Sequence, residues 1–227
     1  MPAPAIVEPA QPEPRFFGYF RSSASYRCRI AFNLKGITPD FVAVHLRRGG
    51  GEQFQPAFAA VNPQRLVPAL EVGADVLTQS LAIIEWLEET RPEPALLPAD
   101  PLARAHVRAF ALAIAADIHP LNNLRVLAYL KGTLGHDQAT VDAWYRHWVE
   151  EGLAACEALV ARSGHGRCCF GDTPGLADIC LVPQLHNARR FNCDLSGLSR
   201  LNAIDAALAE HPAFIAALPD HQPDAEP

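Results

Sequence analysis

Arg21-Ser22-Ser23-Ala24-Ser25-Tyr26-Arg27-Cys28-Arg29 is the stretch on which the reading of this chain turns. The aromatic run Phe16-Phe17-Gly18-Tyr19-Phe20 precedes it and has the character of a short buried strand. Ile30-Ala31-Phe32-Asn33-Leu34-Lys35-Gly36 follows and reads as a helix stopped by glycine. The hydroxyls of Ser22, Ser23 and Ser25 therefore sit where a strand turns into a helix. Backbone N–H groups without helical partners and the positive end of the helix dipole meet there, which suits an anion, a thiolate included. The same serines also suit plain helix capping. On its own the stretch leaves both readings open.

Composition narrows the field. A chain of 227 residues, 49% hydrophobic and 19% charged, can bury one substantial core or two smaller ones. A formal net charge of -6 without a long basic block argues against a sequence-independent grip on nucleic acid, so any attraction for anions must be local. The longest uncharged apolar run, at residues 109–116, falls far short of the roughly 20 residues that cross a bilayer. Residues 1–14 are rich in proline and alanine, lack a basic n-region and a continuous apolar stretch, and read as a disordered tail. A cytoplasmic location is expected. The six cysteines, Cys28, Cys156, Cys168, Cys169, Cys180 and Cys193, are expected to stay reduced, and none stands at metal-ligand spacing, so no metal is assigned.

Further along, Phe41-Val42-Ala43-Val44-His45-Leu46 alternates like a strand and Gly49-Gly50-Gly51 makes a loop, giving an opening strand, helix, strand unit. Glu52 to Ala60 is a weak helical segment. Pro68 stands before a strand at Ala69 to Val72. A proline cannot donate to a ladder, so the residue before it lies at a sheet edge. A cis Val67-Pro68 bond would turn the Val67 backbone outward to pair with an extended ligand. After Val76-Leu77-Thr78, the run Gln79 to Glu89 is helical with Ser80 as its expected N-cap. Residues 91–101 carry four prolines and form a linker. Helices are expected beyond it at about 101–117, 122–131, 138–162, 176–190 and 202–209, with Pro120 interrupting the first pair, making an all-helical bundle. Asp178 is placed to accept from the Gly175 N–H as half of a capping box.

The order of these units resembles the glutathione transferases. Ser22 to Arg29, Asn62-Pro63 with Val67-Pro68, and Gln79 to Glu85 resemble their zeta class, as do Asp117-Ile118-His119-Pro120-Leu121-Asn122-Asn123, Leu181-Val182-Pro183-Gln184 and His211-Pro212-Ala213-Phe214. The resemblance spans about Phe16 to Asp220. It implies an α/β thioredoxin-like N-terminal domain with a mixed four-stranded sheet at 15–91, a linker at 92–100, an all-α C-terminal domain at 101–218 holding a substrate pocket, a tail at 219–227, and a homodimer. Two departures stand out. Ala24 occupies a position where the family often has cysteine, which removes any protein thiol from the chemistry there. Gly175 stands where serine or threonine is usual.

The resemblance also implies glutathione as cofactor, an extended tripeptide with two carboxylates and a thiol. Val67 would pair with its backbone, Gln79 and Ser80 would hold the γ-glutamyl carboxylate, and Gln53, His119 and Asn123 match further family contacts. Ser22 or Ser23 would donate to the sulfur, with Ser23 favoured as the nearer. One pKa unit of thiol acidity corresponds to about 1.4 kcal/mol, which a hydrogen bond and a helix dipole together can supply. The implied reaction is cis-trans isomerisation of maleylacetoacetate or maleylpyruvate in the breakdown of aromatic compounds: thiolate adds, a single bond rotates, and elimination restores glutathione. Such a substrate carries two carboxylates, for which Arg21, Arg125 and Arg190 are the candidate partners, with Arg21 next to the serines. Arg29 is a candidate internal ion-pair partner, and His106, His147 and His186 read as structural. A broader transferase or dehalogenase acting on haloacids or electrophiles, and a non-catalytic glutathione-binding protein, are the rival readings.

Overall fold

The computed structural model describes residues 14–163 and 166–226. The tail reading for residues 1–14 thus lies, Pro14 apart, outside the described residues. Strand β1 (Arg15–Gly18) pairs in parallel with β2 (Asp40–Ala43) and antiparallel with β3 (Ala69–Val72), which continues antiparallel into β4 (Asp75–Thr78). The order is β2-β1-β3-β4, a mixed four-stranded sheet. β2 ends three residues before the alternating pattern does. Beyond it, the backbone N–H of Val44 still reaches Gly18 O at 2.8 Å, but His45 turns into the loop, where its Nδ1 accepts from the N–H groups of Arg47 and Arg48.

Helix α1 (Ser23–Leu34) is buried from Ser23 through Phe32. On one side Phe32 meets Phe16 of β1 edge-to-face at 5.0 Å. On the others, α1 packs against α3 (Ser80–Thr90), α8 (Leu176–Arg190) and α10 (Pro212–Ala216). One continuous apolar core runs from the sheet through Ile83 and Leu87 of α3 to Phe110 of α4 (Pro101–Leu112) and Leu181 of α8. A smaller cluster of Phe17, Val44, Phe58 and Ala69 fills the opposite face beneath α2 (Pro56–Val61).

The helical part departs from expectation in its details. α4 ends at Leu112 and passes into a π-helical turn, Ala113–Ile118, before the short α5 (His119–Leu121). Pro120 lies in the first turn of α5, where a missing N–H costs little. Helices α6 (Leu124–Gly132) and α7 (Gln138–Ser163) follow, and α9 (Ser199–Leu208) starts three residues early. Asp178 accepts from the Gly175 N–H at 2.9 Å and also from Cys169 N at 2.8 Å, tying the preceding loop to α8. Residues 219–226 pack back onto the sheet domain: Asp224 accepts from Phe20 N at 2.9 Å, and Glu226 pairs with His45 and Arg48.

The proline-rich linker is held by one buried ion pair. Lys35 Nζ, at the end of α1, reaches Glu88 at 2.7 Å and the carbonyls of Pro92 and Pro94, while Glu88 accepts from the N–H groups of Leu96 and Leu97. The Lys35 side chain has 0% of its surface exposed, so removal of its partner leaves an uncompensated buried charge. Glu88→Ala is expected to lower the unfolding free energy by about 3–5 kcal/mol in denaturant titrations.

Candidate active site

A cavity of about 750 Å³ opens where the sheet domain meets the helical domain. Its floor is the turn from β1 into α1. Ser22 is the N-cap of α1, its Oγ accepting from Ser25 N at 3.2 Å. That bond uses a lone pair and leaves the hydroxyl proton of Ser22 free. The N–H groups of Ser23 and Ala24, the first two of the helix, have no partner among the described residues. The turn is held from beneath. Arg29 donates to the carbonyls of Tyr19, Phe20 and Ala217, and Asp224 receives Phe20 N. Arg29 is therefore a clamp on main-chain oxygens, and among the described residues it joins no ion pair.

The cavity brings together Arg21, Ser22, Ser23, Gln53, Val67, His119, Asn123, Arg125 and Arg190. Val67 precedes a cis peptide bond to Pro68, and its N–H and C=O make no hydrogen bond among the described residues. Asn62 shapes that segment by donating to Leu66 O at 2.7 Å and accepting from Gln64 N. Gln53 is buried, donates to Leu46 O, and keeps its Oε1 unpaired. Asn123 caps α6 through its Oδ1 and retains its amide protons for another partner.

Two expected site residues do not line the cavity: Gln79 is exposed and Ser80 is buried beside it. Gln79 donates to Gln64 Oε1 at 3.0 Å, and Gln64 lines the cavity. Gln79, not Ser80, is the N-cap of α3, and it makes no side-chain capping bond at φ 69°. Ser80 is instead the first helical residue, buried, with its hydroxyl receiving Arg27 Nη1 at 3.4 Å. A non-glycine residue in left-handed backbone space is a local strain of the kind that collects at binding sites.

His119 crosses from the helical domain to bring its Nδ1 within 3.0 Å of Ser23 Oγ. Burial, and secondarily the charge of Arg27, depress its pKa to about 3. His119 is therefore neutral near pH 7, and its tautomer decides whether the Ser23 proton is used up or released. Arg190 lies over the Phe191 ring at 5.0 Å. Its pKa is lowered, first by burial of the guanidinium; Tyr145 opposes the shift, while Arg21 and Arg47 reinforce it. Arg21, Arg47 and Arg190 thus face a common space. Arg47, Arg65, Lys131 and Tyr145 line the cavity without having been singled out in the sequence. Only Arg47 carried a signal, its place beside the triple-glycine loop.

A four-stranded thioredoxin-like domain joined to a helical domain, with a polar cavity between them, defines a two-domain fold built to hold a small anionic ligand. Residues 21–90 match the family "Glutathione S-transferase, N-terminal domain" and residues 142–215 match "Glutathione S-transferase, C-terminal domain". The chain belongs to the glutathione S-transferase family. It is 52% identical over 211 residues to a maleylpyruvate isomerase of a Ralstonia species, covering 92% of this chain and 99% of that one. A holo structure of maleylpyruvate isomerase, described as a bacterial zeta-class glutathione S-transferase, superposes with a TM-score of 0.90 at 51% identity, covering 93% of this chain and all of the other. A maleylacetoacetate isomerase of Anaeromyxobacter dehalogenans, solved with dicarboxyethyl glutathione and citrate in its active site, gives 0.85 at 43% identity, over 97% and 96% of the two chains.

The neutral state of His119 has a thermodynamic signature. A histidine whose folded pKa lies below its unfolded value near 6.5 contributes stability that is fully present above pH 6.5 and is lost as pH falls toward the folded pKa. His186, also lowered by burial, acts in the same direction. The measurement is therefore a difference: between pH 6.5 and 5, wild type is expected to lose more stability than His119→Gln in parallel denaturant titrations. A second test concerns the turn. Asp224→Ala removes the acceptor for Phe20 N and is expected to lower kcat about tenfold with a small loss of thermal stability, since the turn shifts while the core stays intact.

Proposed function

We propose that this protein is a glutathione-dependent cis-trans isomerase of maleylacetoacetate or maleylpyruvate, products of aromatic-ring cleavage. The observation that carries the reading is one cavity in which the unpaired Val67 backbone, the hydroxyls at the α1 N-terminus and the guanidiniums of Arg21, Arg125 and Arg190 face each other. Glutathione fits the chain's own donors. The unpaired Val67 groups suit an extended peptide. The orphaned Gln53 Oε1 suits an N–H, and the Gln79–Ser80 helix start suits a carboxylate.

When bound, glutathione supplies the thiolate that adds to the cis double bond and leaves again after rotation about the resulting single bond. The residues have separable duties. Ser22 offers a free proton toward the sulfur in either His119 tautomer, with the α1 dipole behind it. Ser23 does so only when His119 carries its proton on Nδ1, so the choice moves from Ser23, favoured in the sequence, to Ser22. Arg21 and Arg190 hold one substrate carboxylate and steady the negative charge that develops on the conjugated carbonyl, and Arg125 at the cavity rim takes the other.

The same reading assigns glutathione binding to residues 15–91 and the substrate wall to 101–218. It places the enzyme in the cytoplasm, supported by six cysteines that are all free thiols and by the lack, among the described residues, of a helix able to cross a membrane. A homodimer is part of it. A groove of about 380 Å³ between α3 and α4, lined by Leu81, Trp86 and Leu112 and flanked by the Glu85–Arg108 pair, offers a partly apolar face for a second copy.

The pure protein is expected to isomerise at least one of the two enedione acids faster than glutathione alone does, and only with glutathione present; failure on both would end the reading. Ser22→Ala should lower kcat/KM about 100-fold, the scale of losing one preorganised donor to a developing anion, against about tenfold or less for Ser23→Ala. Arg190→Ala should act mainly on KM for the dicarboxylate and leave the glutathione KM nearly unchanged.

A further inference from the structure

Arg27 is a fully buried arginine, 1% exposed, in the middle of α1. Guanidinium remains charged under essentially all conditions proteins meet, so the normal expectation is a buried carboxylate beside it. Among the described residues there is none. Its one hydrogen bond runs from Nη1 to the Ser80 hydroxyl at 3.4 Å, and Nε and Nη2 are buried without a partner. The other groups that feel its charge are the thiols of Cys28 on α1 and Cys180 on α8 and the ring of His119. Both thiols are pushed up by burial, Cys180 to about 11 and Cys28 higher, and therefore stay neutral near pH 7. No described residue neutralises Arg27, and folding bears the desolvation of that charge.

The position of the charge is informative. It lies directly behind Ser80, the first residue of α3, whose N-terminus carries the positive end of a helix dipole. We propose that Arg27 is a positioning residue for glutathione: a buried positive charge, acting through the Ser80 hydroxyl, whose counter-ion is the ligand's γ-glutamyl carboxylate. Ser80 accepts from Arg27, which leaves its own hydroxyl proton available for an acceptor such as that carboxylate, with a full charge behind it. In a poorly solvated setting that charge acts over several ångströms with little screening. This inference rests on the proposed function in one respect, that glutathione occupies the cavity with its γ-glutamyl end at α3.

The sign of the effect on stability separates this role from plain packing. A structural arginine lost from a core destabilises the ligand-free protein. A charge kept for a ligand does the reverse when replaced by a neutral group of similar volume, because the unligated protein no longer buries it. The test uses purified wild type, Arg27→Met and Arg27→Gln, with thermal melts and calorimetric titration of two probes. The probes are glutathione and 4-aminobutyryl-cysteinylglycine, which lacks only the γ-glutamyl carboxylate.

Arg27→Met is expected to melt, without ligand, at or above the wild-type temperature, and both variants to bind glutathione about tenfold or more weakly. The truncated peptide should bind wild type and both variants alike. Equal losses for the two probes, or unchanged glutathione affinity in either folded variant, would overturn the proposal. So would a ligand-free Arg27→Met that melts well below wild type while Arg27→Gln binds glutathione normally. If wild type itself fails to bind glutathione, the reading of the cavity falls first, and the melting comparison still decides whether Arg27 is a burden to the ligand-free protein.

Discussion

Helix α1 has no solvent face along its first ten residues. Enclosure of that kind is ordinary for an apolar helix, but this one carries Arg27 and Arg29 among its buried residues, and every polar group on it has to be satisfied by protein or by ligand. Arg29 is satisfied by protein, through three carbonyls, two of which belong to the turn that presents Arg21 and Ser22. The third, Ala217 O, lies at the end of the helical domain. One guanidinium therefore fastens the reactive turn to both domains. The geometry of the floor follows from how a single buried side chain meets its hydrogen-bond requirement.

The same constraint explains why the two domains share a core. α1 cannot be covered by the sheet alone, because a sheet buries only one side of a helix. α3 and α8 close the remaining sides, and α8 belongs to the helical domain. Lys35 extends the principle to the end of α1, where its charge is met by Glu88 and by linker carbonyls. The linker is fixed by that charge, and its prolines spare it the donors it would otherwise have to satisfy. Through that shared core, Ser23 and His119 meet across the junction of the domains at 3.0 Å.

Much of this was legible in the sequence, and the illegible parts have identifiable causes. The βαβ opening, the Val67-Pro68 edge and the helix starting at residues 79–80 follow from hydrophobic period and proline chemistry, which are local. The Ser80 cap was misplaced by one residue because Gln79 takes a positive φ, a conformation that sequence preference argues against and that only the surrounding fold imposes. The π-helical turn at 113–118 has the apolar composition of an α-helix, so nothing in its residues distinguishes the two. The Ser23–His119 pair spans 96 positions and the Phe20–Asp224 bond 204. Contacts at such separations leave no periodic trace. Arg47 has a local signal in the triple-glycine loop that follows it, but its approach to Arg190 comes only with the fold.

The cavity also resolves an apparent conflict between composition and chemistry. A chain with a net charge of -6 is a poor attractor of dianions at long range, where its whole field counts. Within about a Debye length of the cavity, only nearby charges matter. There Arg21, Arg47, Arg65, Arg125, Lys131 and Arg190 face a single lining carboxylate, Asp142. The excess acid lies elsewhere, part of it in pairs such as Glu85 with Arg108 and Glu226 with Arg48 that neutralise cations outside the cavity. Among the described residues the cavity arginines have no carboxylate partner of their own. Segregation of charge, more than its total, is what lets an acidic protein present a cationic pocket. It also confines the attraction to ligands small enough to enter, which excludes the extended polyanions that a basic surface would collect.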